Sequence, residues 1–119
     1  MKQLNNLKEL ISMGKYRLGD EKACQEDIEA FLVKNNVKYE KEFKLDFGIV
    51  DFFFPNSGLA LEVKVSKSWN KLTVYRQCER YCKDSRVKGI LLATGSAQKL
   101  PAEINGKPSL VYLLSESAL

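Results

Sequence analysis

Ile49-Val50-Asp51-Phe52-Phe53-Phe54-Pro55-Asn56-Ser57-Gly58-Leu59-Ala60-Leu61-Glu62-Val63-Lys64-Val65 is the stretch on which the fold depends. Residues 49–54 and 59–65 are apolar at nearly every position, the pattern of strands covered on both faces. Pro55-Asn56-Ser57-Gly58 reads as a turn, since Pro ends a strand and Gly accepts a positive φ. The two runs should therefore close as an antiparallel hairpin. Three ionisable groups, Asp51, Glu62 and Lys64, interrupt them. A buried charge without a partner is costly, so the three need one another or a ligand. Closing the hairpin on its four turn residues sets Phe54 opposite Leu59, and counting back sets Asp51 opposite Glu62. Cross-strand partners share a face, with Cβ atoms about 5 Å apart. Glu62 and Lys64 also share a face, while Leu61, Val63 and Val65 point the other way.

Working outward, Leu4, Leu7, Leu10 and Ile11 recur at helical spacing and predict a short amphipathic helix ending near Gly14 or Gly19. Asp20 reads as an N-cap, followed by an apolar stripe of Cys24, Ile28, Phe31 and Leu32 down to Asn35 or Asn36. Residues 37–45 alternate, with Val37, Tyr39, Phe43 and Leu45 against Lys38, Glu40, Glu42 and Lys44, as in a half-exposed strand. Residues 71–83 are helical again, with Val74, Cys78, Tyr81 and Cys82 on one face. Residues 89–93 form a buried strand, 95–108 a loop and 110–114 a last strand. The predicted order is α-α-β-β-β-α-β-β in a single α/β domain with a mixed sheet. It comprises a helical extension (1–19), a core (20–93) and a C-terminal loop and strand (94–119).

Composition narrows the chemistry. The 119 residues suit one domain, and 45% hydrophobic with 29% charged residues is the balance of a folded one. There is no histidine, which excludes Ser-His-Asp and Cys-His relays and histidine zinc sites; catalysis would run on carboxylates, lysine or a hard cation they hold. The 19 Lys plus Arg against 15 Asp plus Glu give a net charge of +4, which permits a polyanionic partner without requiring one. Cys24, Cys78 and Cys82 form no disulfide framework and read as core residues. The start, MKQLNN, lacks a signal-peptide core, and no apolar run approaches the ~20 residues of a membrane span. A cytoplasmic protein is expected.

Two carboxylates set across from each other repel unless positive charge lies between them. Lys64 supplies one charge, and a divalent cation held by Asp51 and Glu62, with the Val63 carbonyl as a third oxygen, would supply the rest. Mg2+ suits such a set, since it accepts one or two carboxylates, keeps waters and binds phosphate oxygens; Mn2+ is a possible substitute. A metal beside a lysine is a device for attacking phosphodiesters.

Asp51, a short gap, then Glu62-Val63-Lys64 resembles the PD-(D/E)XK nuclease superfamily, the restriction-endonuclease-like fold. The α-β-β-β-α-β order from about residue 20 to 93 is similar to that family's core. Gln77-Cys78-Glu79-Arg80-Tyr81 resembles the Q-x-x-x-Y motif of its exonuclease-like branch, where Gln and Tyr point toward the active site and the nucleic acid. The family also places a Glu of the first core helix near the metal. Glu21 is the first candidate, ahead of Glu26 and Glu29. Val50 stands where the motif's name has Pro. The resemblance implies a small stand-alone Mg2+-dependent DNA endonuclease of the phage type, often a homodimer, with Asp51 and Glu62 on the metal, Lys64 assisting the attacking water, and Gln77 and Glu21 in support.

Further candidates for nucleic-acid contact are Lys67, Trp69 and Lys71 in the loop after Lys64, together with Arg76 and Tyr81. Each feature has a plainer reading. Asp51, Glu62 and Lys64 can be a salt-bridge cluster on a solvated sheet face, Glu21 a first-turn acid facing the helix dipole, and Gln77 and Tyr81 a surface and a core residue. Arg76, Arg80 and Lys83 can be a solvated helix face, and Trp69 a lid on the core. The alternative function is a non-cleaving nucleic-acid-binding module, or a nuclease subunit, on the same fold.

Overall fold

The hairpin turn forms as its residues dictate. In the computed structural model, which describes residues 1–66 and 68–117, the Phe54 carbonyl accepts from the backbone N–H groups of Ser57 (3.2 Å) and Gly58 (2.8 Å). Gly58 adopts φ +75°, a conformation that costs a residue with a Cβ. The turn joins β2 (Gly48–Phe54) to β3 (Leu59–Lys64), with Phe54 paired to Leu59, Phe53 to Ala60 and Phe52 to Leu61.

Around this hairpin lie α1 (Lys2–Ser12), α2 (Glu21–Lys34), β1 (Glu40–Leu45), α3 (Lys71–Tyr81), β4 (Gly89–Thr94), β5 (Glu103–Ile104) and β6 (Lys107–Leu113), then a 3-10 turn (Leu114–Ser117). The fold is α+β, with a six-stranded mixed sheet of order β1-β2-β3-β4-β6-β5. β1, β2 and β3 pair antiparallel, β3, β4 and β6 parallel, and β5 antiparallel to β6. β3 and β4 are buried at every position, as central strands covered on both faces should be.

One face of the sheet packs Leu61 and Val63 against Leu4 and Ile11 of α1 and Ile28 and Leu32 of α2. The other packs Ala60, Ile90 and Leu92 against Val74, Cys78, Tyr81 and Cys82 of α3. Burying a Leu or Ile is worth about 2 kcal/mol. Leu4, Leu7 and Ile11 can thus hold α1, whose 11 residues would be marginal alone, against the same core as Tyr112 of β6. Asp20 caps α2 through the Ala23 N–H (3.0 Å), and Asn70 caps α3 through those of Leu72 and Thr73.

Three expectations need correction. Residues 95–108 are not wholly loop: β5 and the start of β6 lie there, joined by a tight turn in which Asn105 and Gly106 take positive φ, the signature of a primed hairpin turn. β1 begins at Glu40 rather than 37. Ile49 is not covered on both faces: β2 projects past its neighbour there and leaves the side chain 58% exposed.

Candidate functional site

β2 and β3 part company at Asp51. Their paired ladder ends at Phe52 and Leu61, and the next rungs are made by side chains. The Asp51 N–H donates to Glu62 Oε1 (3.2 Å), and the Val63 N–H donates to Asp51 Oδ2 (2.8 Å). One rung further on, the Val65 N–H donates to Glu21 Oε1 (3.2 Å). Carboxylates have replaced main-chain carbonyls along the open edge of β3, satisfying donors that would otherwise lack partners.

The local cause is a slip in alternation. Phe54 and Phe52 face the α1–α2 side, and Phe53 the α3 side. Regular alternation would send Val50 with Phe52, yet Val50 joins Phe53 on the α3 side. Across from Asp51 in the β1–β2 register stands Glu42, whose φ is +53°, a left-handed conformation costing about 1–2 kcal/mol for a residue with a Cβ. Beside this rung β2 and β3 cease to pair, leaving the gap the carboxylates occupy.

Glu62 (2% exposed) and Lys64 (7%) project toward α3 and are buried, which removes the solvated-face reading. Lys64 Nζ lies 3.1 Å from Glu62 Oε2 and 4.2 Å from the centroid of the Trp69 ring. The single lysine does not balance the acids. Burial, then the Asp51 charge, pushes Glu62 up to about 8 against the opposing pull of Lys64. Burial likewise raises Asp51, with Glu21 adding repulsion and the Val63 N–H and Lys64 working the other way. Burial and repulsion from a neighbouring carboxylate, which disfavour ionisation, are the conditions a cation relieves.

The donor chemistry fits a hard cation. A strand residue's N–H and C=O leave on the same edge. The Lys64 carbonyl accepts from Gly95 (2.8 Å) on the β4 side, so that of Val63, whose N–H points at Asp51, faces the gap. Asp51, Glu62 and the Val63 carbonyl are the oxygens that would hold Mg2+ or Mn2+. Among the described residues no three acidic or cysteine side chains gather closely enough to cage an ion alone. The set is the sparse one Mg2+ accepts together with waters and substrate oxygens.

Glu21, in the first turn of α2, reaches this gap through Val65. Glu29 does not, being engaged by Tyr39 (2.7 Å) and Lys41 (3.4 Å), and Glu26 is exposed. On α3 the Tyr81 hydroxyl donates to the Ile49 carbonyl (2.8 Å), with Glu62 Oε2 at 3.4 Å. Tyr81 is 2% exposed, so it is not a nucleic-acid contact; it packs behind Glu62. Gly48 permits this, because a Cβ there would lie 2.9 Å from the ring. Gln77 stands one helical turn before Tyr81 on the same side, nearer the carboxyl end of β3. Its Oε1 is buried with no partner among the described residues, an unmet acceptor costing on the order of 1–3 kcal/mol.

Of the remaining candidates, Trp69 is 40% exposed beside Lys64, and Lys71 and Arg76 are exposed on α3; Lys67 lies outside the described residues. Sequence reasoning missed Asp84. Although 1% exposed, it is tied to Arg86 (2.7 Å) and to the Asp46 N–H (2.8 Å) and anchors the β1–β2 hairpin. Compared with models of known protein families, with curated proteins and with solved structures, the chain matches none.

Proposed function

We propose that the protein is a metal-dependent nuclease that hydrolyses phosphodiester bonds in nucleic acid, most simply a DNA endonuclease. The observation that carries this reading is the break in the β2–β3 ladder. There a buried carboxylate, Glu62, and a partly buried one, Asp51, meet, Asp51 repelling the charge on Glu62, with a lysine 3.1 Å away. The similarity of Asp51, Glu62-Val63-Lys64 and Gln77-x-x-x-Tyr81 to the PD-(D/E)XK pattern supports it further. A divalent cation bound there would act as the Lewis acid that polarises a phosphate oxygen and acidifies a water.

The chain's own residues prepare that chemistry. Asp51 and Glu62 fix two oxygens through main-chain donors rather than mobile side chains, so little reorganisation is needed when charge develops. Lys64, held between Glu62 and Trp69, can neutralise charge on the phosphate and orient an attacking water. Tyr81 seals the rear of Glu62 from solvent.

Purified protein should cut plasmid or single-stranded DNA with Mg2+ or Mn2+, and folded Glu62→Gln should not. Equal cleavage by the variant removes the site. The non-cleaving binding module rests on one observation, that Lys64 is already engaged by Glu62; DNA binding without cleavage of any topology would establish it.

A further inference from the structure

β3, β4 and β6 run parallel, so their carboxyl ends open on one end of the sheet, where ligands of such sheets tend to bind. Lys64 stands at the end of β3. Just beyond the ends of β4 and β6, alongside the first turn of α3, lies an open groove of about 840 Å3. Its apolar lining includes Leu72, Tyr75 and Leu113, and its basic lining Lys8, Lys71 and Lys99, against one acid, Glu116. Leu72, 55% exposed, adjoins Tyr75 and Leu113 in this lining, so the apolar surface is contiguous rather than a single exposed side chain. The Gln98 side chain donates to the Lys71 carbonyl (3.0 Å), tying the loop after β4 to the start of α3 and fixing one wall.

An apolar, partly aromatic floor edged by lysines matches an unpaired nucleic-acid strand. Each base offers a face for stacking and each phosphate a charge, whereas in a duplex the faces are taken up by stacking on neighbouring pairs. Trp69 is exposed, lies against Lys64 Nζ beside Glu62, and is two residues from Lys71 of the groove lining. We infer that this groove holds a single-stranded segment of the substrate and leads it past Trp69 to Asp51 and Glu62, so that the preferred substrate is single-stranded or carries an unpaired arm. The inference deepens the nuclease reading and rests on it for the identity of the site.

The test is fluorescence anisotropy in EDTA, where binding is read without cleavage, using labelled oligothymidylate and a blunt hairpin duplex. Wild type should bind oligothymidylate more tightly than the hairpin. Tyr75→Ala and the charge reversal Lys99→Glu, at an exposed position that does not endanger folding, should each weaken oligothymidylate about tenfold, with much less effect on the hairpin. Equal affinity for the two probes, or oligothymidylate binding untouched by Lys99→Glu and by folded Tyr75→Ala, overturns the groove. Groove-dependent binding by a protein that cuts nothing with Mg2+ or Mn2+ would uphold the groove as a single-strand site and remove the nuclease reading.

Discussion

The backbone N–H of Asp51 donates to the carboxylate of Glu62 at 3.2 Å, while the carboxylate of Asp51 accepts from Val63, the residue after Glu62, at 2.8 Å. Each acid is thus held by the other's strand. The arrangement fixes a buried carboxylate, Glu62, beside a partly buried one, Asp51, with one lysine to offset them, and the consequences are measurable.

Lys64 should matter far more for turnover than for folding at mildly acid pH. Lys64→Met removes the ammonium 3.1 Å from Glu62. Where Glu62 is ionised this leaves a buried charge unpaired, at a cost on the order of 3 kcal/mol; where Glu62 is protonated the cost is small. Cleavage by folded variant should fall about 10²- to 10³-fold. Thermal melts across pH, with initial cleavage rates, check both parts.

The metal-free protein should lose stability as pH rises. Glu62 is raised to about 8 in the folded chain by burial and then by Asp51, against about 4.3 unfolded. Between those values the folded state holds the proton and the unfolded state does not, so stability declines with rising pH and levels off above both. The loss is on the order of a few kcal/mol. Mg2+ should oppose the decline, because it replaces the proton. Melting temperature against pH, with EDTA and with Mg2+, reads this directly; a rise through the neutral range in EDTA would contradict it.

Trp69 is the chain's one tryptophan, with its ring centroid 4.2 Å from Lys64 Nζ. Its emission should report on the site. Mn2+ should quench it, and nucleic acid should shift it through stacking. Trp69→Ala should weaken nucleic-acid binding by about 1 kcal/mol or more while leaving the melting temperature nearly unchanged. Fluorescence titration against far-ultraviolet melting separates the two effects.

Asp84 supplies the contrast of a buried acid with a structural task. Arg86 and the N–H groups of Arg86 and Asp46 hold its carboxyl well below the usual range. Its contribution is therefore present above the unfolded carboxylate range and disappears as pH falls. Asp84→Asn should cost about 1–3 kcal/mol in denaturant unfolding at neutral pH and leave cleavage per folded molecule unchanged. A selective loss of activity would place Asp84 in the site.

Much of this geometry was legible from residues 49–65. The turn's length set Phe54 opposite Leu59, and counting back from that pair anticipated the approach of Asp51 to Glu62, although the ladder stops at Phe52 and Leu61 and side chains bridge the rest; the two-residue spacing of Glu62 and Lys64 put them on one face. Asp20 announced α2 and so placed Glu21. Other features left no local trace. The slip in alternation at Asp51 coincides with a left-handed conformation at Glu42, nine residues earlier, which nothing in the residue type announces. Tyr81 reads as any core tyrosine until α3 is laid over β3. Asp84, between exposed Lys83 and Ser85, looks like a surface acid because its burial comes from the β1–β2 hairpin folding over it. The β5–β6 turn at Asn105-Gly106 carried a turn signal, but a strand of two residues is too short for periodicity to reveal.

The central claim is that Asp51 and Glu62 hold one divalent cation. Electron paramagnetic resonance of Mn2+ titrated into the protein at neutral pH, with wild type and with folded Asp51→Asn and Glu62→Gln, counts bound ions directly. One Mn2+ should bind per wild-type chain and be displaced by Mg2+, with affinity rising with pH and lost in both variants. An ion bound equally well by Asp51→Asn and Glu62→Gln, or no Mn2+ bound by wild type with or without a non-cleavable oligonucleotide, would contradict it.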